Sequence, residues 1–246
     1  MHFDTNVVRF GIEPDPTTGA IMPPIYATST YVQESPGVHK GFEYARTGNP
    51  TRATLERCLA ALEGASGAVA TSSGSAATAL LFQAAAARGT IVASSSAYHG
   101  TLRQLAEYVP AIGGHVRHAP TEDLDAVRAV VDEVGDRLGL LFVETPANPL
   151  LGISDLAGLA ELAAAHGAPL ACDSTFATPL NLRPLEYGID LVADPEAGAY
   201  DAILIAVGHR QFADLGAVGI RRFGKPSSLV YDIKYVLPQG AADDRL

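Results

Sequence analysis

The sequence predicts a three-layer α/β/α sandwich built on a mostly parallel sheet, and three observations predict it. Strand-length apolar runs alternate with helical patterns along most of the chain. Leu156 to His166 reads as a helix closed by Gly167, and an apolar run follows at Leu170-Ala-Cys-Asp173, the αβ half of a parallel-sheet unit. Small and polar residues then collect where those runs stop, as at the carboxyl ends of parallel strands.

Residues 1 to about 50 are rich in Pro, Gly and Thr; Glu13-Pro-Asp-Pro and Met22-Pro-Pro-Ile forbid a long helix. They read as an extended arm that wraps its own domain or lies on another subunit. From Asn49-Pro-Thr-Arg the pattern is helical, with Leu55, Leu59 and Leu62 on one face and Gly64 at the end. Ala68-Val-Ala-Thr reads as a strand, Ala76 to Arg88 as a helix and Thr90 to Ser94 as a strand. A helix opens at Tyr98 and ends near Tyr108. An acidic amphipathic helix covers 122–137, and Leu140 to Glu144 is a strand before the loop Thr145-Pro-Ala-Asn-Pro. Further on, Tyr200 to His209 is a strand, Arg210 to Phe223 an amphipathic helix and Ser228 to Lys234 a strand, one βαβ unit.

Composition narrows the function. Of 246 residues 48% are hydrophobic, enough for a proper core. The formal net charge of -10 argues against nucleic-acid and anionic-membrane partners, which need clustered positive charge. Cys58 and Cys172 lack CxxC or His-rich neighbours, so both are expected to be reduced core residues and no metal site is expected. A secretory leader pattern and a membrane-length apolar run are both missing, so a soluble cytoplasmic protein is expected.

The strand ends carry the candidate chemistry. Gly74 and Ser75, between a strand and a helix, can offer backbone N–H groups to a phosphate, or simply follow a serine N-cap. Tyr98 can lie flat on a ring or be a half-buried structural tyrosine. Asn148 can meet a ring oxygen or shape the Asn-Pro turn. Asp173 can hold a heterocyclic nitrogen protonated, or cap a turn. Phosphate, ring, phenolic oxygen and pyridinium together describe pyridoxal 5′-phosphate (PLP).

Five strings carry a resemblance: Glu13-Pro-Asp-Pro-Thr-Thr-Gly…Tyr26-Ala-Thr-Ser-Thr-Tyr, Phe42-Glu-Tyr-Ala-Arg-Thr-Gly-Asn-Pro-Thr-Arg, Ser72-Ser-Gly-Ser-Ala-Ala-Thr, Val143-Glu-Thr-Pro-Ala-Asn-Pro and Asp173-Ser-Thr-Phe-Ala-Thr-Pro. In this order they are similar to the Cys/Met-metabolism family of PLP enzymes, the cystathionine γ-synthase, cystathionine γ-lyase and methionine γ-lyase type, over about residues 3–191. The resemblance implies the large domain of PLP-dependent fold type I. It implies β- or γ-elimination or replacement on sulfur amino acids. It also implies a homo-oligomer in which Tyr44 and Arg46 of the arm reach a neighbouring subunit's phosphate. Carried over further, Gly74 and Ser75 bind the phosphate and Tyr98 stacks on the ring. Asn148 meets the ring oxygen, Asp173 the ring nitrogen, Thr175 supports the ring, and Glu144 stands behind it.

The resemblance breaks after Arg183-Pro-Leu-Glu-Tyr-Gly-Ile-Asp-Leu-Val. The Ser-x-Thr-Lys string that supplies the family's cofactor-bearing lysine is replaced by Ala193-Asp-Pro-Glu-Ala. Lys234, in Tyr231-Asp-Ile-Lys-Tyr-Val-Leu-Pro, is a poor candidate for that lysine. Residues 186–246 instead resemble the C-terminal end of nucleotide-sugar dehydrogenases of the UDP-GlcNAc/UDP-mannosaminuronate type, so the chain looks chimeric. Three parts are expected: an arm (1–50), a PLP-binding portion (51–192) and a βαβ tail (193–246) whose strands complete the truncated sheet. The alternative is an inactive PLP-fold remnant or fusion whose tail binds a nucleotide sugar.

Overall fold

The computed structural model describes residues 7–8, 12–187, 200–205, 210–232 and 236–245. The chain divides into two units, Met1–Leu191 and Val192–Leu246.

In the first unit α1 (Pro50–Glu63) starts at Asn49, whose side chain accepts from the Thr51 and Arg52 amides, and stops at Gly64 in the left-handed region. Next come α2 (Gly74–Ala86), β1 (Thr90–Ser94) and α3, which runs as His99–Arg103, a π turn over Gln104–Tyr108 and Val109–Ala111. They are followed by β2 (His115–Ala119), α4 (Leu124–Val134), β3 (Leu138–Glu144), α5 (Leu156–Ala165), β4 (Leu170–Asp173) and the short α6 (Thr178–Asn181). The four strands pair in the order β2-β1-β3-β4, all parallel.

Every residue of β1 and β3 is buried. Because side chains alternate along a strand, the two faces gather different partners. Val92, Leu141 and Val143 join Val127 and Val131 of α4 and Leu159 and Leu162 of α5. Ile91, Ala93, Leu140 and Phe142 join Phe82 of α2 and Leu105 and Val109 of α3, with Phe82 edge-on to Phe142 at 5.1 Å. Helices therefore cover both faces, as the three-layer expectation requires.

Two sequence expectations need correction. Ala68 to Thr71 has no regular secondary structure and pairs with no strand among the described residues. Leu55 and Leu59 are exposed, and only Leu62 of their predicted apolar face is buried. The segment and the helix face border the same apolar trough of about 520 Å³, lined by Leu59, Ala68, Leu81, Leu140, Leu170 and Leu185. On its far side runs β4, which pairs only with β3 among the described residues.

In the second unit β5 (Tyr200–Ile205), β6 (Gly224–Asp232) and β7 (Asp244–Arg245) form a parallel sheet, and α7 (Arg210–Arg221) links the first two strands. Its core is Ile220, Val230 and Leu237. Buried Asp232 accepts from the Val236 and Leu237 amides at 3.1 and 2.8 Å. The expected completion of the main sheet is corrected here. The tail strands pair with one another because β6 takes β5 on one edge and β7 on the other. Lys234 and the tail's start at 193–199 lie outside the described residues. No helix among the described residues is long and apolar enough to cross a membrane.

Candidate active site

The site lies at the carboxyl ends of β1, β3 and β4 and at the amino end of α2. Ser73 caps α2 in extended backbone, and its hydroxyl accepts from the Ala76 amide at 3.1 Å. The Ala76 and Ala77 amides also reach the Ser73 carbonyl. The Gly74 and Ser75 N–H groups find no acceptor among the described residues, as the first amides of a helix lack one by geometry. A Cβ placed on Gly74 would meet nothing within 4 Å, so open space faces this turn.

Tyr98 leads α3 and is 49% exposed. Gly100 allows that pose: a Cβ there would come within 2.4 Å of the Tyr98 ring. The Tyr98 amide donates to both oxygens of Glu144 at 3.0 and 2.9 Å, and the Asn148 amide donates to Oε1 at 2.8 Å. Glu144, at the end of β3, thus fixes the backbone of both residues. Burial pushes its carboxyl above the ordinary value, the two amides pull it back in part, and the Asp173 charge raises it further.

Asp173 ends β4 half-buried, and its Oδ1 accepts from the Thr175 amide at 3.0 Å and from the Thr175 hydroxyl. That leaves Oδ2 for a ligand. Cys172 beside it is pushed up to about 12 by burial and then by the Asp173 charge, which removes it as a nucleophile.

Gly74, Ser75, Tyr98, Glu144, Asn148, Asp173 and Thr175 all line one pocket of about 390 Å³. Ligand pockets typically span roughly 300–1,000 Å³. Tyr44 and Arg46 are not among its lining residues. They stand together on the arm, with Arg46 donating to the Tyr44 hydroxyl at 3.2 Å and its guanidinium 5.2 Å from the ring centroid. Three Arg52 contacts to the carbonyls of Ala45, Arg46 and Thr47 tie that loop to α1.

The sequence reading missed several contributors. Thr78, Thr101, Pro146 and Phe176 also line the pocket. Beneath it, a hydroxyl chain from Ser94 to Thr121 to Ser154, with the Ser154 amide on the Thr145 hydroxyl, ties the loops after β1, β2 and β3 together. Hydroxyls clustered after strands are the signal that could have found them. No cluster able to hold a metal ion occurs among the described residues.

The chain is 39% identical over 235 residues to the cystathionine beta-lyase of Coxiella burnetii, covering 96% of this chain and 58% of that one. It is 44% identical over 192 residues to the cystathionine gamma-synthase of Mycobacterium tuberculosis, covering 76% and 48%. The crystal structure of cystathionine gamma-lyase from Lactobacillus plantarum complexed with L-serine superposes with a TM-score of 0.73 at 40% identity, covering 77% of this chain and 49% of that one. The chain thus spans about half the length of the curated relatives it matches. The family model for Cys/Met metabolism PLP-dependent enzymes matches residues 4–197, the stretch that supplies the whole pocket, so this chain belongs to that family.

Proposed function

We propose that the pocket holds PLP in service of β- or γ-elimination or replacement on a sulfur amino acid. The observation that carries this is the convergence of Gly74, Tyr98 and Asp173 on one pocket. The residues fit the group. Two unpartnered amides at a helix start suit a phosphate, an exposed aromatic face suits a ring, and a carboxylate oxygen kept free suits a protonated ring nitrogen. When bound, PLP supplies an electron sink for carbanion chemistry. Asp173 keeps the ring nitrogen protonated and Thr175 orients that carboxylate. Tyr98 sets the plane of the ring and Asn148 is within the pocket to meet its oxygen. Glu144 holds the backbones of Tyr98 and Asn148.

Among the described residues none that lines the pocket is a lysine, so each of those residues meets PLP through non-covalent contacts. Tyr44 and Arg46, presented on the arm, contribute to a neighbouring subunit, so the working form is a cytoplasmic homo-oligomer. The test is gel filtration of the chain after mixing with PLP. Ring absorbance co-eluting with protein is expected, and its absence overturns the assignment. Borohydride treatment is expected to leave no cofactor on the chain; a reduced adduct at Lys234 reverses the non-covalent reading.

A further inference from the structure

Helix α3 changes its winding at Gln104, where the Val109 amide reaches back to the Gln104 carbonyl, the i→i+5 bond of a π turn. Such turns recur at functional sites. The Gln104 side chain uses both ends of its amide on α2. Oε1 accepts from the Thr78 hydroxyl at 2.8 Å, and Nε2 donates to the Ser75 carbonyl at 2.8 Å. Ser75 sits in the turn whose free amides face the pocket, and Thr78 is one turn further along the same helix. The other end of α3 is held by Glu144 through the Tyr98 amide. One side chain therefore spans from the helix that presents the ring platform to the turn that presents the amides.

We propose that Gln104 is a positioning residue for the cofactor phosphate, acting as a strut that fixes the first turn of α2 against α3. This rests on the PLP assignment above. A side-chain amide satisfied at both ends holds its partners in one geometry; without it the Thr78 hydroxyl, already 3.3 and 3.2 Å from the Gly74 and Ser75 carbonyls, is left to those contacts within α2, and α2 loses this tie to α3.

The test measures dissociation constants of the 246-residue chain for PLP and for pyridoxal, which lacks the phosphate, in Gln104→Leu and Thr78→Val. Gln104→Leu is expected to weaken PLP about tenfold and pyridoxal by less than about twofold, with Thr78→Val weakening PLP about threefold. Equal losses for both ligands, or no loss for either, overturn the strut. If Gln104→Leu does not fold, Thr78→Val decides by the same ratio. Wild-type chain that binds PLP no better than pyridoxal removes the phosphate assignment itself, and the strut with it. Intact discrimination in wild type and an unchanged ratio in both variants removes the strut alone.

Discussion

Glu144 is 5% exposed and spends both oxygens on backbone amides. Glutamine in its place keeps one acceptor and turns an N–H toward another N–H, so Glu144→Gln is expected to destabilise by about 1–3 kcal/mol in urea titration. The pH dependence has a definite sign. The folded carboxyl titrates above its reference of 4.5, so the folded chain binds more protons than the unfolded chain just above that value. Its contribution to stability falls as pH rises through the interval between the two values, and a pH series on Glu144→Gln should lose that slope. Asp173→Asn keeps the shape but removes the charge offered to a ring nitrogen. PLP affinity is expected to drop about tenfold, read by absorbance titration, because hydrogen bonds to charged groups are the strong ones.

Helix α3 starts with a glycine at its second position for a steric reason. Gly100→Ala forces the Tyr98 ring to swing away, and the expected result is PLP and pyridoxal binding weakened alike by a few-fold, unlike the phosphate-selective effect of Gln104. Within the core, Phe82→Ala empties the space against Phe142 and should cost about 3–5 kcal/mol in thermal or urea unfolding. The elements with clear periodicity or caps were legible: α1 with Asn49 and Gly64, α5 with Gly167, and the apolar β1, β3 and β4. One misreading and one omission share a cause. Ala68 to Thr71 looks like a strand by composition, yet a strand exists only with a neighbour. His115 to Ala119 shows no apolar run and is nonetheless β2, paired residue by residue with β1 and turned outward as an edge. At the site, the residues on strand ends were readable. Gln104 was not, because its place depends on the π turn and on a helix some 30 residues away in sequence, which no local pattern encodes.

Among the described residues the pocket draws only on those between Ser73 and Phe176. Val230 is fully buried in the separate core of the second unit. Val230→Ala should therefore lower that unit's stability by about 2 kcal/mol while leaving PLP affinity unchanged; hydrogen exchange and ligand titration on one sample check both halves. The main sheet also has two unlike margins. On β2, Arg117 reaches Glu133 through two contacts at 2.9 and 2.8 Å, so charge guards that side. On β4, Leu-Ala-Cys borders an apolar trough instead. A margin that pairs with no further strand among the described residues recruits extended polypeptide from solution, so concentrated samples are expected to thicken into turbid, strand-rich assemblies that light scattering detects.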